Sequence, residues 1–336
     1  MLLVVNAGSS SVKVAMYDGL TQLRKAQIGE LGPGGHRTAL ESLLADGFAT
    51  GLTAAAHRVV HGGARLTAPT RLTPAGLAVI AACLPLAPLH NPANLSAIRA
   101  LSQIAPDLPQ YASFDTGFHA TNPDVALRYA LPPAVEAEGI RRYGFHGLSY
   151  AAIVRKLPEI TDHPLPRRLL ALHLGNGASA CAILDGQSQA NTMGYSPLDG
   201  LTMGTRAGSI DGNAVLRLAE LYGIEGATRI LNRESGLLAL GGSNDIRALH
   251  AANTDAARFA IRHFCYWAVR HAGSMIAAMG GLDAIAFTGG IGENDAHIRA
   301  KILQGLDFIA AGKPVHVIEA DEEHQIAAEA MTLMHS

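Results

Sequence analysis

The sequence predicts an α/β protein made of two duplicated domains, and three observations carry that prediction. Its 336 residues, at about 150 residues per domain, amount to two domains with ample buried core. Leu2–Gly19 (LLVVNAGSSSVKVAMYDG) and Leu169–Gly186 (LLALHLGNGASACAILDG) align without gaps at an offset of 167 residues, with six identities in eighteen positions. The 36 glycines exceed average usage of roughly 7%, and they gather in polar turns that follow apolar strands.

Each half of the internal echo reads as an apolar strand, a turn of Gly, Ser or Asn, a second strand and an Asp-Gly hairpin turn. Chance likeness of two buried hairpins is one reading, and duplicated domains facing one another across a cleft is the other. Further along, Ala54–Val60 reads as a strand running into Gly62-Gly63, and proline-punctuated Pro85–Pro92 breaks any continuous helix. Leu108–Phe114 is a further apolar strand, ending at Asp115-Thr116-Gly117. From Thr254 onwards Ile261, Phe264, Cys265, Ala268, Ala272, Met275, Ile276 and Met279 form an amphipathic stripe that stops at Gly280-Gly281. Asp283–Thr288 predicts a strand, Gly289–Asn294 a glycine turn, and the residues through about Leu303 a helix whose N-terminus presents backbone N–H groups to an anion. A last helix begins at Asp321.

Composition narrows the function. Charged residues are 16% of the chain and the net charge is −2, so no field draws it to nucleic acid or an acidic membrane. The longest uncharged stretch, Ala75–Leu89, is shorter than the roughly 20 residues of a membrane span and contains Pro85 and Pro88. Met1–Val5 lacks the basic segment of a signal peptide. Cys83, Cys181 and Cys265 lie far apart, without a CxxC pair, which disfavours disulfides and cysteine zinc sites. His57 and His61 flank strand-like Val59-Val60, and no HExxH occurs, so a histidine zinc site is disfavoured too. The expectation is a soluble cytoplasmic protein.

Several residues could carry chemistry. The loops Asn6–Ser11, Gly175–Ser179 and Gly290–Asn294 suit phosphate oxygens, with Lys13 beside the first, or they are tight turns that need only positive φ. None matches GxxxxGK[ST] or GxGxxG. Arg58 in HRVVHGG and Arg206 in LTMGTRAGSIDG have the paired N–H donors that grip carboxylate or phosphate. His90 in PLHNP and His146 in YGFHG sit in turns where a histidine can donate to an anion. Asp115 fits a base, an arginine's partner or an Asx turn. Asp245 and Arg247 in GGSNDIR fit either ribose contacts or an ordinary surface ion pair.

Taken together, NAGSSSVK from Asn6, HRVVHGG from His57, PLHNP from Pro88, FDTGFH from Phe114, RRYGFHG from Arg141, LHLGNGAS from Leu172, MGYSPLDGLTMGTRAGSID from Met193 and FTGGIGEN from Phe287 resemble the acetate kinase family, in family order across nearly the whole chain. The resemblance implies two duplicated ribonuclease H-like domains of the actin, Hsp70 and sugar kinase superfamily with a nucleotide cleft between them, one formed by residues 1–117 plus 322–336 and the other by 118–321. It implies reversible transfer of the ATP γ-phosphoryl to acetate or propionate, giving acyl phosphate and ADP with Mg²⁺, or Mn²⁺ in its place, in a homodimer.

By motif match, Arg58 and Arg206 hold carboxylate and phosphoryl, His146 bonds the phosphoryl, and His90 supports the pocket. Asp115 orients Arg58 or a metal-bound water. Asn6 and Glu322 organise the metal, and Lys13 touches the nucleotide phosphates. His173, Leu174, Gly175, Asn176 and Gly177, then Asp245, Ile246 and Arg247, then Gly290, Ile291, Gly292, Glu293 and Asn294 surround the nucleotide. Val60, Leu89, Phe145 and Pro197 line the alkyl pocket, which distinguishes one methylene by only about 1–3 kcal/mol.

The chain departs from the family pattern in four places. It is shorter than the family's roughly 400 residues, a size that fits two or three domains, mostly between Gly19 and Ala54. Leu148-Ser149-Tyr150 replaces Thr-Ser-His after FHG, Ala320-Asp321 replaces Thr-Asn before Glu322, and Asn244 replaces a serine. A rival expectation is a nucleotide-gated binding protein of the same fold without acyl transfer. A sugar kinase would want a polar lining that Val60, Leu89, Phe145 and Pro197 do not offer.

Overall fold

Two sheets with the same strand order organise the chain. The computed structural model describes residues 1–336 apart from Ser9, Ser10, Pro33, Leu89 and Ser336. Leu89 of the expected alkyl pocket and Ser9 and Ser10 of the first loop therefore lie outside the described residues. The chain separates into one unit of Met1–Ala120, Gly147–Ala152 and Asp321–Ser336 and a second of Thr121–His146 and Ile153–Ala320. Gly147–Ala152, within the range expected of the second domain, packs with the first unit.

In the first unit, β1 (Leu2–Ala7), β2 (Val12–Asp18), β3 (Thr21–Ile28), β4 (Ala54–Val59), β5 (Thr70–Arg71) and β6 (Gln110–Phe114) form a sheet of order β3-β2-β1-β4-β6-β5. β1, β2 and β3 are antiparallel, as the hairpin turns demand, whereas β4 runs parallel to β1 and β6 parallel to β4. β1 is apolar at nearly every position because both of its faces are covered. Leu3 and Val5 pack with Leu40 and Leu101 of helices His36–Leu43 and Asn91–Ile104, while Leu2 and Val4 pack with Ile326 and Ala330 of helix Glu322–His335.

In the second unit, β7 (Arg168–Leu174), β8 (Ala178–Leu184), β9 (Gln187–Asn191), β10 (Ala284–Thr288) and β11 (Val315–Val317) take the order β11-β10-β7-β8-β9. The first three are again antiparallel, and β7, β10 and β11 are parallel. The order β3-β2-β1-β4-β6 thus repeats as β9-β8-β7-β10-β11, with the same strand senses. These are two ribonuclease H-like domains, and the echo between Leu2–Gly19 and Leu169–Gly186 is the first pair of strands in each.

Helix Asp255–Ala278 begins at the Thr254 cap, whose side chain accepts from Ala257 N, and it buries the stripe read from the sequence. Gly289–Asn294 corrects one expectation. It is a short helix rather than a turn, ending at Asp295, whose side chain caps the next helix, Ala296–Gly305. The glycines misled because φ is +79° at Gly289 alone, and Glu293 closes the turn by accepting from Gly289 N at 2.9 Å. Among the described residues no helix is long and apolar enough to cross a membrane.

Candidate active site

In the first unit the polar groups collect at the carboxyl ends of β1, β4 and β6, the edge where open parallel sheets present their ligands. Asn6 ends β1, Arg58 lies near the end of β4 and Asp115 follows β6. Arg58 donates to both oxygens of Asp115, Nε to Oδ1 at 3.0 Å and Nη2 to Oδ2 at 2.6 Å, a bidentate charge-assisted pair. Glu322 Oε2 lies 3.5 Å from Arg58 Nε. Asn6 Oδ1 accepts from Arg58 Nη1 at 3.4 Å, and Asn6 Nδ2 donates to Glu323 Oε1 at 3.0 Å.

The acid bonded to Asn6 is therefore Glu323, the neighbour of the Glu322 that the resemblance assigns to the metal. Burial lowers the Arg58 pKa, but the carboxylates of Asp115, Glu322 and Glu323 more than offset it and hold the value above that of ordinary arginine. Three carboxylates around one guanidinium leave a local excess of negative charge. They are oxygen donors throughout, and with the Asn6 amide oxygen they suit Mg²⁺, which takes one or two carboxylates and completes its shell with water and phosphate. Among the described residues no three His, Cys, Asp or Glu side chains form a cage, and Mg²⁺ does not require one.

The PLHNP segment works through residues the sequence reading passed over. Asn94 clamps two strand ends, its Nδ2 donating to Ala7 O at 2.7 Å and its Oδ1 accepting from Val60 N at 3.1 Å. Asn91 clamps His61 in the same way, through both its N–H and its carbonyl. His90 stands at the N-cap of helix Asn91–Ile104, its carbonyl accepting from Ala93 and Asn94. The one available signal was a pair of asparagines at the start of a helix, where they can reach neighbouring backbone. Lys13 is exposed on β2, paired in register with Asn6. Val60 is buried at 3% exposure. Leu148 and Tyr150 are core residues, Leu148 packing with Leu2 and Val4 and Tyr150 edge-on to His119.

In the second unit the equivalent strand ends carry a different set. His173, at the position that echoes Asn6, stacks on His146 with ring centroids 4.1 Å apart. His146 adopts left-handed φ of 58° at the start of helix Gly147–Thr161, and its Nδ1 lies 2.9 Å from Ser179 Oγ. A Cβ on Gly177 would stand 3.3 Å from His146 Nε2 and 3.5 Å from Arg206 Nη1, so the glycine leaves open a niche that imidazole and guanidinium share.

Arg206 Nη1 donates to Pro197 O at 3.1 Å and approaches Met203 Sδ at 3.8 Å. Among the described residues no carboxylate lies within ion-pair distance of it, and burial lowers its pKa. A half-buried cation without a counter-charge gives up part of its hydration, and an anion beside it would offset that loss. The Arg206 loop is knit to the glycine turn by Gly204 N donating to Asn176 O at 3.0 Å. It is shaped by Gly236 (φ +67°), where a Cβ would overlap Met203 O.

A cavity of about 600 Å³ adjoins this cluster, lined by Gly175, Asn176, Asn244–Arg247, Gly290, Ile291, Asn294 and Asp295. Three separate sequence segments meet there, and the volume suits a nucleotide. Asp245 caps helix Ile246–Ala252 and is gripped by exposed Arg247, Nη2 to Oδ2 at 2.8 Å. Two of the expected nucleotide residues face elsewhere: Leu174 is fully buried, and Glu293 accepts from Gly289 N and Ala320 N. Phe145, at 1% exposure, is in this unit.

Paired ribonuclease H-like domains, one of them holding a glycine turn, two histidines and an unneutralised arginine beside a nucleotide-sized cavity, define the class of actin, Hsp70 and the sugar kinases. The acetokinase family profile matches residues 36–330. The chain is 40% identical to the acetate kinase of Methylocella silvestris over 99% of its own length and 98% of that protein. Its structure is similar to those of the Porphyromonas gingivalis acetate kinase and a Francisella tularensis propionate kinase. Each gives a TM-score of 0.90 at 33% identity, covering 99% of both chains in the first case and 98% of both in the second. The chain belongs to the acetokinase family.

Proposed function

We propose that this protein catalyses reversible transfer of the ATP γ-phosphoryl to acetate or propionate, forming acyl phosphate and ADP. It is a phosphotransferase with a carboxyl group as acceptor and ATP/ADP as co-substrate. One carboxylate oxygen bonds to the γ-phosphorus as the bond to the β,γ-bridging oxygen breaks, and the departing electron pair stays on ADP. No proton need move, so catalysis consists of alignment and charge stabilisation.

The observation that carries this reading is Arg206, a half-buried cation with no carboxylate within ion-pair distance among the described residues, sharing its niche with His146 and Gly177. A migrating phosphoryl supplies the missing anion. His146 donates to it from Nε2, held from the far side by Ser179 and stacked on His173. The glycine turn and Asp245–Arg247 take the nucleotide. Arg58, oriented by Asp115, takes the carboxylate, and Val60, Leu89, Phe145 and Pro197 serve its alkyl end. His90 supports this pocket and Lys13 the phosphates. Asn6, Glu322 and Glu323 hold Mg²⁺ directly or through water, and the ion neutralises phosphate charge when bound. We place the enzyme in the cytoplasm as a homodimer.

The two arginines argue against a binding protein that merely switches on nucleotide, because such a protein has no use for a second anion grip. The test is a hydroxamate trap of acyl phosphate with ATP, Mg²⁺ and, side by side, acetate, propionate and butyrate. Product with the first two and less with butyrate is expected. No carboxylate-dependent product at millimolar substrate would sink the proposal.

A further inference from the structure

A second cavity, of about 340 Å³, lies among helices Ile246–Ala252, Asp255–Ala278 and Ala296–Gly305 and shares no lining residue with the nucleotide cavity. Its floor is apolar, formed by buried Leu249 and Ile261. Its walls are cationic: Arg258 and Arg262 stand four apart on one helix, and Lys301 comes from another. Asp255 answers the charge of Arg258, which leaves Arg262 and Lys301 as the cations an anion would join.

The neighbouring carboxylates are already engaged. Asp255 pairs with Arg258, while Asp295 bonds His250 at 2.9 Å and caps its helix through Ile298 N. Among the described residues neither Arg262 nor Lys301 has a carboxylate within ion-pair distance, and Arg262 lies over the Phe259 ring instead. His250 and His297 meet edge to face at 5.2 Å, and with the His250 Nε2 N–H given to Asp295, His297 is the ring that can add an N–H donor.

We propose that this cavity binds a phosphate-bearing anion, the phosphate held by Arg262 and Lys301 and an organic portion lying over Leu249 and Ile261. Such a site is separate from the phosphoryl-transfer machinery. Two cations without an acid, beside an apolar floor, favour a small phosphorylated molecule over a bare carboxylate, which a single arginine would satisfy.

The experiment uses the full chain carrying Arg206→Ala, which removes the catalytic anion grip, and titrates it calorimetrically with inorganic phosphate and separately with glycerol phosphate. Saturable binding of one equivalent is expected, with glycerol phosphate tighter than inorganic phosphate; inorganic phosphate binding equally or more tightly would overturn the placing of an organic portion over Leu249 and Ile261. Adding Arg262→Gln and Lys301→Gln should weaken binding at least tenfold. Equal affinity with and without those two substitutions, or no saturable binding at all, would overturn the proposal. Backbone amide shifts on phosphate addition give a second readout that needs no further variant: changes centred on residues 258–262 and 297–301 support the site, and changes confined elsewhere overturn it.

Discussion

Arg58 and Asp115 form a two-pronged ion pair, with Nη2 2.6 Å from Oδ2 and Nε 3.0 Å from Oδ1, and Asp115 is only 2% exposed. The acid fixes the plane of the guanidinium and leaves Nη1, with its weak 3.4 Å bond to Asn6, as the more available donor. Among the described residues Arg206 has no such acid. One arginine is oriented and partly neutralised; the other is not.

Replacing Asp115 by Ala should let Arg58 swing and cut kcat/KM for the carboxylate by about 100-fold, the scale of a misplaced positioning group. Asp115→Asn keeps a hydrogen-bond acceptor and should lose less. Steady-state hydroxamate kinetics decide, and equal activity in wild type and Asp115→Ala would remove Asp115 from the site.

Arg206→Ala should lower kcat by about 10²–10³-fold, the usual scale for a lost charge-stabilising donor. Because Arg206 holds only Pro197 O and Met203 Sδ, the melting temperature should stay within a few degrees. A large fall in melting temperature would mean the residue is structural.

The Arg206 loop depends on a backbone shape available to glycine. Gly236→Ala places a Cβ at φ +67° and against Met203 O. The conformation alone costs about 1–3 kcal/mol, and the overlap adds to it. Urea unfolding should show the loss; a variant as stable as wild type would show that this loop can shift freely.

Acid should destabilise the first unit through His57. Burial pushes its pKa down from 6.5 to about 4, partly countered by its 2.7 Å bond with Gln110. The unfolded chain then binds the proton more readily than the folded one, so stability present above pH 6.5 drains away as pH falls towards 4, by about 3 kcal/mol from this residue. His57→Gln should flatten that slope in denaturation curves measured at intervals from pH 7 to 4. An unchanged slope would assign the acid sensitivity elsewhere.

The hairpins, the long Thr254-capped helix and the strand ends bearing Arg58 and Asp115 were legible because continuous apolar runs, a capping threonine and polar turns write themselves into local sequence. The edge strands β5 and β11, two and three residues long, left too little pattern to read. The glycine-rich stretch at Gly289 looked like a turn because its closing bond comes from the Glu293 side chain four residues later.

The clamps made by Asn91 and Asn94, and the choice of Glu323 over Glu322 as the partner of Asn6, are long-range. Asn6 and Glu323 are 317 residues apart, and residue type alone favours neither glutamate. The individual strands and helices were thus readable from pattern, the paired ribonuclease H-like fold and the arginines and histidines of the site from the family motifs, and the partners of those side chains only from the folded structure.

The central claim is that a carboxylate receives the γ-phosphoryl, and ³¹P NMR of the purified enzyme with ATP, Mg²⁺ and acetate tests it most directly. An acyl phosphate resonance should grow one-for-one with ADP, absent without acetate and nearly absent with Arg206→Ala. Accumulation of ADP and inorganic phosphate at the same rate whether or not acetate is added would contradict it.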